Sequence, residues 1–304
     1  MLFLLGSILL SGFLTIAFKI CDRVGINKFQ AIVCNYGVCA LTGSVFTKSI
    51  PSFGEAALQP WFGWSLVMGI FFIVSFNLIA FSVEKNGLAI AAVASKTSLV
   101  IPFIFSVILY SEQASIITVA GVVLAIIAVM LTLWQRKAAG VVVKPGGQRI
   151  GIAIALPVGV FLATGLLDTL IKYVEKLFIT QQNNNQYLIN TFSVAFVVGL
   201  VLLLLQIIAR NIRFQPRALL AGVVIGIPNY FSIWCLMKVL KEYPNLSSVV
   251  IPVNNMGIVL LSALVAWLFF REKLTVINWA GIILALIAVL MIAAGNQINS
   301  YGIL

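Results

Sequence analysis

The chain contains ten mostly apolar runs, each close to the roughly 20 residues that an α-helix needs to cross a bilayer. Hydrophobic residues make up 62% of the 304 residues and charged residues only 9%. Most of the surface must therefore face lipid, where a helix satisfies its own backbone hydrogen bonds. We predict an all-α integral membrane protein with ten transmembrane helices. The predicted spans are Met1–Ile20, Phe29–Phe46, Pro60–Val83, Leu88–Leu109, Ala114–Trp134, Ile150–Tyr173, Tyr187–Ala209, Ala218–Val239, Leu246–Phe270 and Val276–Ala294.

The composition also disfavours several kinds of site. The chain has no histidine and its four cysteines show no CxxC spacing, so we predict neither a metal centre nor a cofactor. The net charge of +11 comes from basic residues in short loops between apolar runs, which indicates membrane topology and not a nucleic-acid-binding face. The cysteines, which we interpret as small packing residues, are Cys21, Cys34, Cys39 and Cys235.

The basic residues are unevenly divided between the two sides of the predicted bundle. Loops after the odd-numbered helices carry twelve of them, and the opposite loops carry three, Lys48, Lys176 and Lys241. Because cytoplasmic loops hold the excess of Lys and Arg, we predict that the odd-numbered loops are cytoplasmic. Both termini then lie outside the cytoplasm, with the chain in the inner or plasma membrane. The twelve are Arg23, Lys28, Lys85, Arg136, Lys137, Lys144, Arg149, Arg210, Arg213, Arg217, Arg271 and Lys273.

One segment of the sequence occurs twice. Glu112–Met130 aligns without a gap on Glu272–Leu290, and nine of the nineteen positions are identical. Shared apolar composition alone would not place the glutamate and the Ala-Gly pair in register. We therefore predict two copies of a five-helix unit. The predicted boundaries are 1–134 for the first copy, 135–149 for a cytoplasmic linker, 150–294 for the second copy and 295–304 for a short C-terminal tail.

Weaker matches extend the repeat to other helices, with Asn35 falling on Asn190 and Gly69 on Gly226. Because five is an odd number, the second copy enters the membrane upside down. Inverted repeats related by an axis in the membrane plane are the architecture of secondary transporters, whose central site opens to either side in turn. The repeat thus predicts a secondary transporter that works by alternating access.

The repeated motifs resemble a known family. Pro102, Glu112 and Ala120–Gly121, with Glu272 and Ala280–Gly281 in the second copy, are similar to EamA-type members of the drug/metabolite transporter superfamily. The resemblance implies an exporter or exchanger of small metabolites such as amino acids, either proton-coupled or facilitative. It also implies a central cavity lined mainly by the third, fourth, eighth and ninth helices.

Lys96 is the one charge inside the fourth run, Leu88–Leu109. A charged side chain near the bilayer centre costs at least about 2.5–3.5 kcal/mol on insertion scales, so such residues commonly mark a site. Ala89 and Ala92 share its helix face and leave room for a cavity. We favour Lys96 as the receptor for an anionic group of the substrate. Proton transfer, snorkelling to the interface and a structural ion pair are the alternatives.

Polar and aromatic residues of the cavity-lining helices complete the predicted substrate site. In both the eighth and the ninth helix a proline, Pro228 or Pro252, precedes side-chain amides, and interrupted helices commonly bind ligands near the midplane. An asparagine in a membrane can equally bind another helix, and the aromatic residues suit packing at least as well. The predicted substrate-binding residues are Ser95, Lys96, Asn77, Asn229, Tyr230, Trp234, Asn254 and Asn255.

Asp168 is the one acidic residue well inside a predicted helix. It lies four positions before Lys172, so a pair within one helix is the simplest interpretation. Asp168 can alternatively reach Lys96, as a charge partner or as a carrier of the coupling proton.

Other classes of protein fit the sequence less well. A membrane-embedded enzyme would need a nucleophile with its base, a carboxylate pair or a metal cluster, and the chain has a single deep acid. A receptor has no need of an inverted repeat, because it does not work by exchanging the conformations of two copies. A flippase or a carrier for sugar-linked or phosphorylated metabolites remains an alternative within the transporter class. The predicted partners are a small-molecule substrate, the lipid bilayer and protons as a candidate coupling ion, for a monomer or a homodimer.

Overall fold

The computed structural model is built of α-helices, and no β-strand occurs in the part of the chain that it describes. The described residues are 2–48, 53–86, 94–95, 97–98, 100–110, 115–132, 150–180, 182–210, 213–244, 246–268 and 275–300. The helices are α1 (Leu2–Arg23), α2 (Lys28–Thr47), α3 (Phe53–Ala57), α4 (Phe62–Asn86), α5 (Val100–Tyr110), α6 (Ile116–Thr132), α7 (Ile150–Phe178), α8 (Asn184–Arg210), α9 (Pro216–Glu242), α10 (Ser247–Leu268) and α11 (Val276–Ser300).

Helices of membrane-spanning character account for most of these elements. Segments in α2, α4, α7, α8 and α9 are long and apolar enough to cross a membrane, and α1, α5, α6, α10 and α11 contain shorter apolar segments. The prediction of an all-α multi-pass membrane protein is thereby confirmed.

The clearest difference from the predicted spans is at the end of α7. The apolar run stops at Tyr173, but the helix continues to Phe178. Lys172 and Glu175 are buried and bind each other, so these polar residues lie inside the protein and do not end the helix. Similarly, α11 continues to Ser300, into the predicted C-terminal tail.

The chain divides into two compact units. The first unit comprises Met1–Asn77 and Leu170–Pro244, and the second comprises Leu78–Thr169 and Asn245–Leu304. Two of the divisions fall inside α4 and α7, so these helices contribute to both units. Each unit takes helices from both predicted copies of the repeat.

In the first unit, α9 packs against α1 and α2, and α2 also packs against α8. Helices in lipid associate through close packing at small residues, because burial of apolar surface gives little driving force there. Gly69 of α4 is one such position. A methyl group on Gly69 would lie 2.7 Å from Val194 Cβ and 2.9 Å from Thr191 O, both in α8.

Gly226 of α9 makes the corresponding approach to α2. A methyl group on it would lie 2.6 Å from Val38 Cβ and 2.8 Å from Asn35 O. Gly69 and Gly226 are separated in the sequence by the same number of residues, to within one, as Val38 and Val194. The two contacts therefore use corresponding positions of the predicted repeat, with the roles of the helices exchanged.

A second pair of glycines follows the same relation. A methyl group on Gly43 of α2 would lie 2.6 Å from Ile189 Cγ1, and one on Gly199 of α8 would lie 3.0 Å from Val33 Cγ2. Gly43 corresponds to Gly199 and Val33 to Ile189 at the same separation in the sequence. The centre of the first unit thus contains four matched close contacts between helices.

In the second unit, α6 packs along α11, and α10 contacts α5, α6 and α11. A methyl group on Gly121 would lie 2.9 Å from Ile292 Cγ1, so α6 and α11 approach closely. Ile292 lies just beyond the second repeated segment, and alanines of both repeated segments belong to the same buried core. Their fully buried alanines are Ala125, Ala128, Ala285 and Ala288.

The two helices of this pair also begin in the same way. Ser115 Oγ accepts from Thr118 N at 3.1 Å at the start of α6, and Thr275 Oγ1 accepts from Asn278 N at 3.3 Å at the start of α11. Such caps satisfy a backbone N–H that a helix leaves free. Asn278 Nδ2 also donates to Leu131 O at 3.2 Å, which fastens the start of α11 to the end of α6.

We expect Gly69→Ala and Gly226→Ala each to lower the free energy of unfolding by about 1–3 kcal/mol, because the added methyl group meets a backbone oxygen that cannot move aside. The measurement is thermal unfolding of the purified protein in detergent. Gly63→Ala is the control, since no atom lies within 4 Å of the new methyl group. Unchanged stability in both test variants would contradict the close contacts.

Candidate functional site

A hydrogen bond between two predicted site residues lies at the centre of the candidate site. Asn255 Nδ2 of α10 donates to Asp168 Oδ2 of α7 at 3.1 Å, and both side chains are half-buried in the second unit. The nearby hydroxyls of Thr164 and Thr169 donate to backbone carbonyls of α7 itself, 2.7 and 2.8 Å away. Of these α7 side chains, Asp168 is the one that binds another helix.

A close approach between α5 and α7 positions this carboxylate. A methyl group on Gly165, one turn before Asp168, would lie 2.8 Å from Ile101 Cβ. The first turn of α5 therefore lies against the turn of α7 that carries Asp168. Lys96, five residues before Ile101, is outside the described residues, so its contact with Asp168 stays a prediction.

Two further predicted site residues belong to the same unit. Asn254 is 5% exposed, and its Oδ1 has no hydrogen-bond partner in the described part of the chain. Ser95 is half-buried, and its carbonyl accepts from the Ser98 hydroxyl at 2.6 Å. The second unit thus contains Ser95, Asn254, Asn255 and Asp168.

The other predicted site residues lie in the first unit, where their observed contacts are structural. Asn77 Nδ2 donates to Ile73 O of its own helix at 2.8 Å. Asn229 Nδ2 donates to Asn35 Oδ1 at 3.1 Å and links α9 to α2. Cys39 Sγ donates to Asn35 Oδ1 at 3.6 Å, which adds a weak contact to the same amide. A substrate-binding role for either predicted asparagine stays a prediction.

The predicted aromatic residues belong to a packed cluster. Tyr230 is fully buried, with its ring 6.5 Å from that of Phe46, and Phe46 lies 5.7 Å from Trp234. Trp234 Nε1 donates to Asn185 Oδ1 at 2.9 Å. Lys238 Nζ lies 5.4 Å from the Trp234 ring centre, within range of a cation–π interaction. These are packing contacts within the protein. A substrate-binding role for Tyr230 and Trp234 stays a prediction.

Sequence reasoning missed a buried ion pair at the end of α7. Lys172 Nζ donates to Glu175 Oε2 at 3.3 Å and to Pro244 O at 2.9 Å, although its side chain is only 1% exposed. Lys241 Nζ donates to Ile179 O nearby. The i,i+3 spacing of lysine and glutamate was a signal in the sequence, but it also suits an exposed helix end.

The chemistry available at the Asp168 site is that of a carboxylate hydrogen-bonded to the Asn255 amide. Such a group can bind an ammonium group of a ligand or take up a proton. In the described residues no cluster of three or more cysteine, aspartate or glutamate side chains could hold a metal ion.

A double-mutant cycle measures the Asn255–Asp168 bond. We expect Asn255→Ala and Asp168→Ala to be coupled by about 0.5–3 kcal/mol in the free energy of unfolding, because each removes the other's partner. In the matched cycle of Asn77→Ala with Asp168→Ala, the effects should add. Additive effects in the Asn255 cycle would show that the bond is absent in solution.

Lys172→Met should be strongly destabilising, by about 3–5 kcal/mol, because it leaves the Glu175 charge buried without its partner. The double variant Lys172→Met with Glu175→Leu should recover part of this loss, since no uncompensated charge remains. Thermal unfolding of the three proteins tests the pair. A double variant less stable than Lys172→Met would refute it.

Comparison with known proteins gives consistent results. Residues 150–294 match the sequence model of the EamA-like transporter family. An uncharacterized protein of Haemophilus influenzae is 25% identical over 292 residues, which cover 94% of this chain and 95% of that protein. A crystal structure of another protein superposes with a TM-score of 0.71 and 14% identity, and the match covers 95% of this chain and 94% of that one.

The crystal structure supports the fold alone at this level of identity. The family match covers the second predicted copy, including the repeated motif at Glu272–Leu290, and the relative extends the similarity to nearly the whole chain. The resemblance predicted from the sequence is confirmed for the second predicted copy: residues 150–294 match the EamA-like transporter family.

Proposed function

We propose that the protein is a secondary transporter that moves small metabolites, amino acids in particular, across the inner or plasma membrane by alternating access. The match of residues 150–294 to the EamA-like transporter family supports the class. The observation that carries the proposed site is the hydrogen bond between Asn255 and Asp168, because it joins two helices through a carboxylate inside the membrane. Intramembrane acids are rare and commonly mark transport sites.

The proposed architecture is ten spans in two inverted copies, residues 1–134 and 150–294. Matched contacts support it. Gly69 meets α8 through the positions that correspond to those through which Gly226 meets α2. The equivalent caps and buried alanines of α6 and α11 support it in the second unit. Related copies can exchange conformations, which is the physical basis of alternating access.

The proposed substrate is zwitterionic. Lys96 binds its carboxylate, and Asp168 with Asn255 and the unpaired Asn254 oxygen binds its ammonium group. The close approach of Gly165 to α5 supports a common site, because it sets the segment after Lys96 against the turn that carries Asp168. Proton coupling through Asp168 is the second role that this geometry allows. A neighbouring lysine or the ammonium group of a bound substrate would each stabilise the ionised carboxylate, so that binding of either one would release its proton.

The proposed orientation places the odd-numbered loops in the cytoplasm and both termini outside. The twelve basic residues in those loops, against three on the opposite side, support it.

A ligand panel tests the substrate class. Purified protein is heated with amino acids, purines, sugars and organic phosphates, and the apparent stability is measured. A ligand of the folded state at a hundred times its dissociation constant adds about 2.7 kcal/mol. We expect an amino acid to give this shift in the wild type and in Lys48→Gln, a lysine substitution outside the site, but not in Lys96→Gln or Asp168→Asn.

The same compound should be taken up by proteoliposomes with the wild-type protein and not with folded Lys96→Gln. An equal shift in all four proteins would remove Lys96 and Asp168 from the site. A shift with phosphorylated compounds alone would contradict the amino acid substrate.

A further inference from the structure

One buried glutamine fixes the segment that precedes α9. Gln30 of α2 is fully buried, and its Nε2 donates to Arg213 O at 3.0 Å while its Oε1 accepts from Gln215 N at 2.8 Å. These two bonds hold the residues on either side of Phe214. Gln215 Oε1 accepts in turn from Asn27 N at 2.8 Å. The backbone of this segment is therefore fixed to the start of α2.

The side chains that this segment presents face outward. Arg213 and Arg217 are exposed, and Phe214 between them is 49% exposed. The exposed apolar surface of α9 begins immediately afterwards, with Leu219 at 51% and Leu220 at 69%. At about 1.5 Å of rise per residue, Arg217 lies only about 3–5 Å beyond this lipid-facing surface. Arg217 is thus near the level where we expect hydrocarbon to give way to lipid headgroups, and Arg213 lies in the non-helical segment immediately before the helix.

The two guanidinium groups are available for a ligand. Within the described part of the chain, neither Arg213 nor Arg217 forms an ion pair. Arginine binds phosphate oxygens through two parallel hydrogen bonds, and an exposed aromatic ring beside it fits the boundary between headgroups and acyl chains. Basic residues at a membrane surface attract anionic lipids by about 1 kcal/mol each.

We propose that the segment Arg213–Arg217 binds an anionic phospholipid, with the guanidinium groups on its phosphate and Phe214 against the upper part of its acyl chains. Gln30 preorganises this lipid site by fixing the backbone on both sides of Phe214. The lipid is distinct from the transported substrate, and the site does not depend on the proposed transport activity.

Lipid-dependent thermal unfolding in detergent tests this proposal. We compare added phosphatidylglycerol with phosphatidylcholine of the same acyl chains, and with inorganic phosphate. Phosphatidylglycerol should raise the Tm of the wild type more than phosphatidylcholine does. In the double variant Arg213→Gln with Arg217→Gln, about half or more of this difference should be lost.

The matched control is Lys48→Gln with Lys144→Gln, which removes the same charge elsewhere and should keep the wild-type difference. If the arginine variant does not fold, Arg213→Lys with Arg217→Lys is used, because it keeps the positive charge. It should reduce the difference between the Tm shifts with the two lipids, since lysine lacks the planar guanidinium group that binds phosphate through two hydrogen bonds. Equal shifts with both lipids, equal losses in test and control variants, or the same shift with inorganic phosphate would each overturn the proposal.

Discussion

Close contact between helices at small residues is the interaction on which the rest of this structure depends. Lipid gives apolar helices little reason to associate, so packing and interhelical hydrogen bonds must hold them together. Gly222 and Gly226 lie one turn apart on α9, and both meet α2 beside Asn35. The backbones come close enough there for Asn229 to reach Asn35 and for Cys39 Sγ to donate to Gly226 O at 3.2 Å. The close backbone approach at the glycines thus brings these polar groups within hydrogen-bond distance of each other.

The same relation positions the candidate site. Gly165 allows α5 to pack directly against α7, and Asp168 follows on the next turn. A half-buried carboxylate between apolar helices needs a partner, which Asn255 supplies from α10. Small residues thus determine where the charged group lies, and the charged group determines what kind of ligand the site suits.

Much of the fold was predictable because lipid imposes simple rules on sequence. Apolar runs of membrane-spanning length gave the positions of the helices, and the repeat in Glu112–Met130 and Glu272–Leu290 identified two segments whose alanines line the α6–α11 contact. The link between Asn255 and Asp168 was harder to predict. Both residues were candidates, but a pair between distant helices depends on three-dimensional packing that spacing along one chain does not encode.

The buried pair of Lys172 and Glu175 was missed for a related reason. Charges at the end of an apolar run usually mark the water-exposed end of a span. Here Lys172 is buried with Glu175, and the carbonyl of Pro244, distant in sequence, accepts a hydrogen bond from it. The roles of Asn229 and Tyr230 were ambiguous in the same way. An amide or a ring in a membrane helix suits either a ligand or a neighbouring helix, and the observed neighbours are Asn35 and Phe46.

The central claim is that the Asp168 site is reached from each side of the membrane in turn. The most direct measurement labels Thr164→Cys, one turn before Asp168, in a protein whose four native cysteines are replaced, with a membrane-impermeant thiol reagent added to one side of a sealed vesicle at a time. We expect labelling from both sides, with a transported amino acid slowing both reactions. Labelling from one side only, unaffected by substrate, would contradict alternating access at this site.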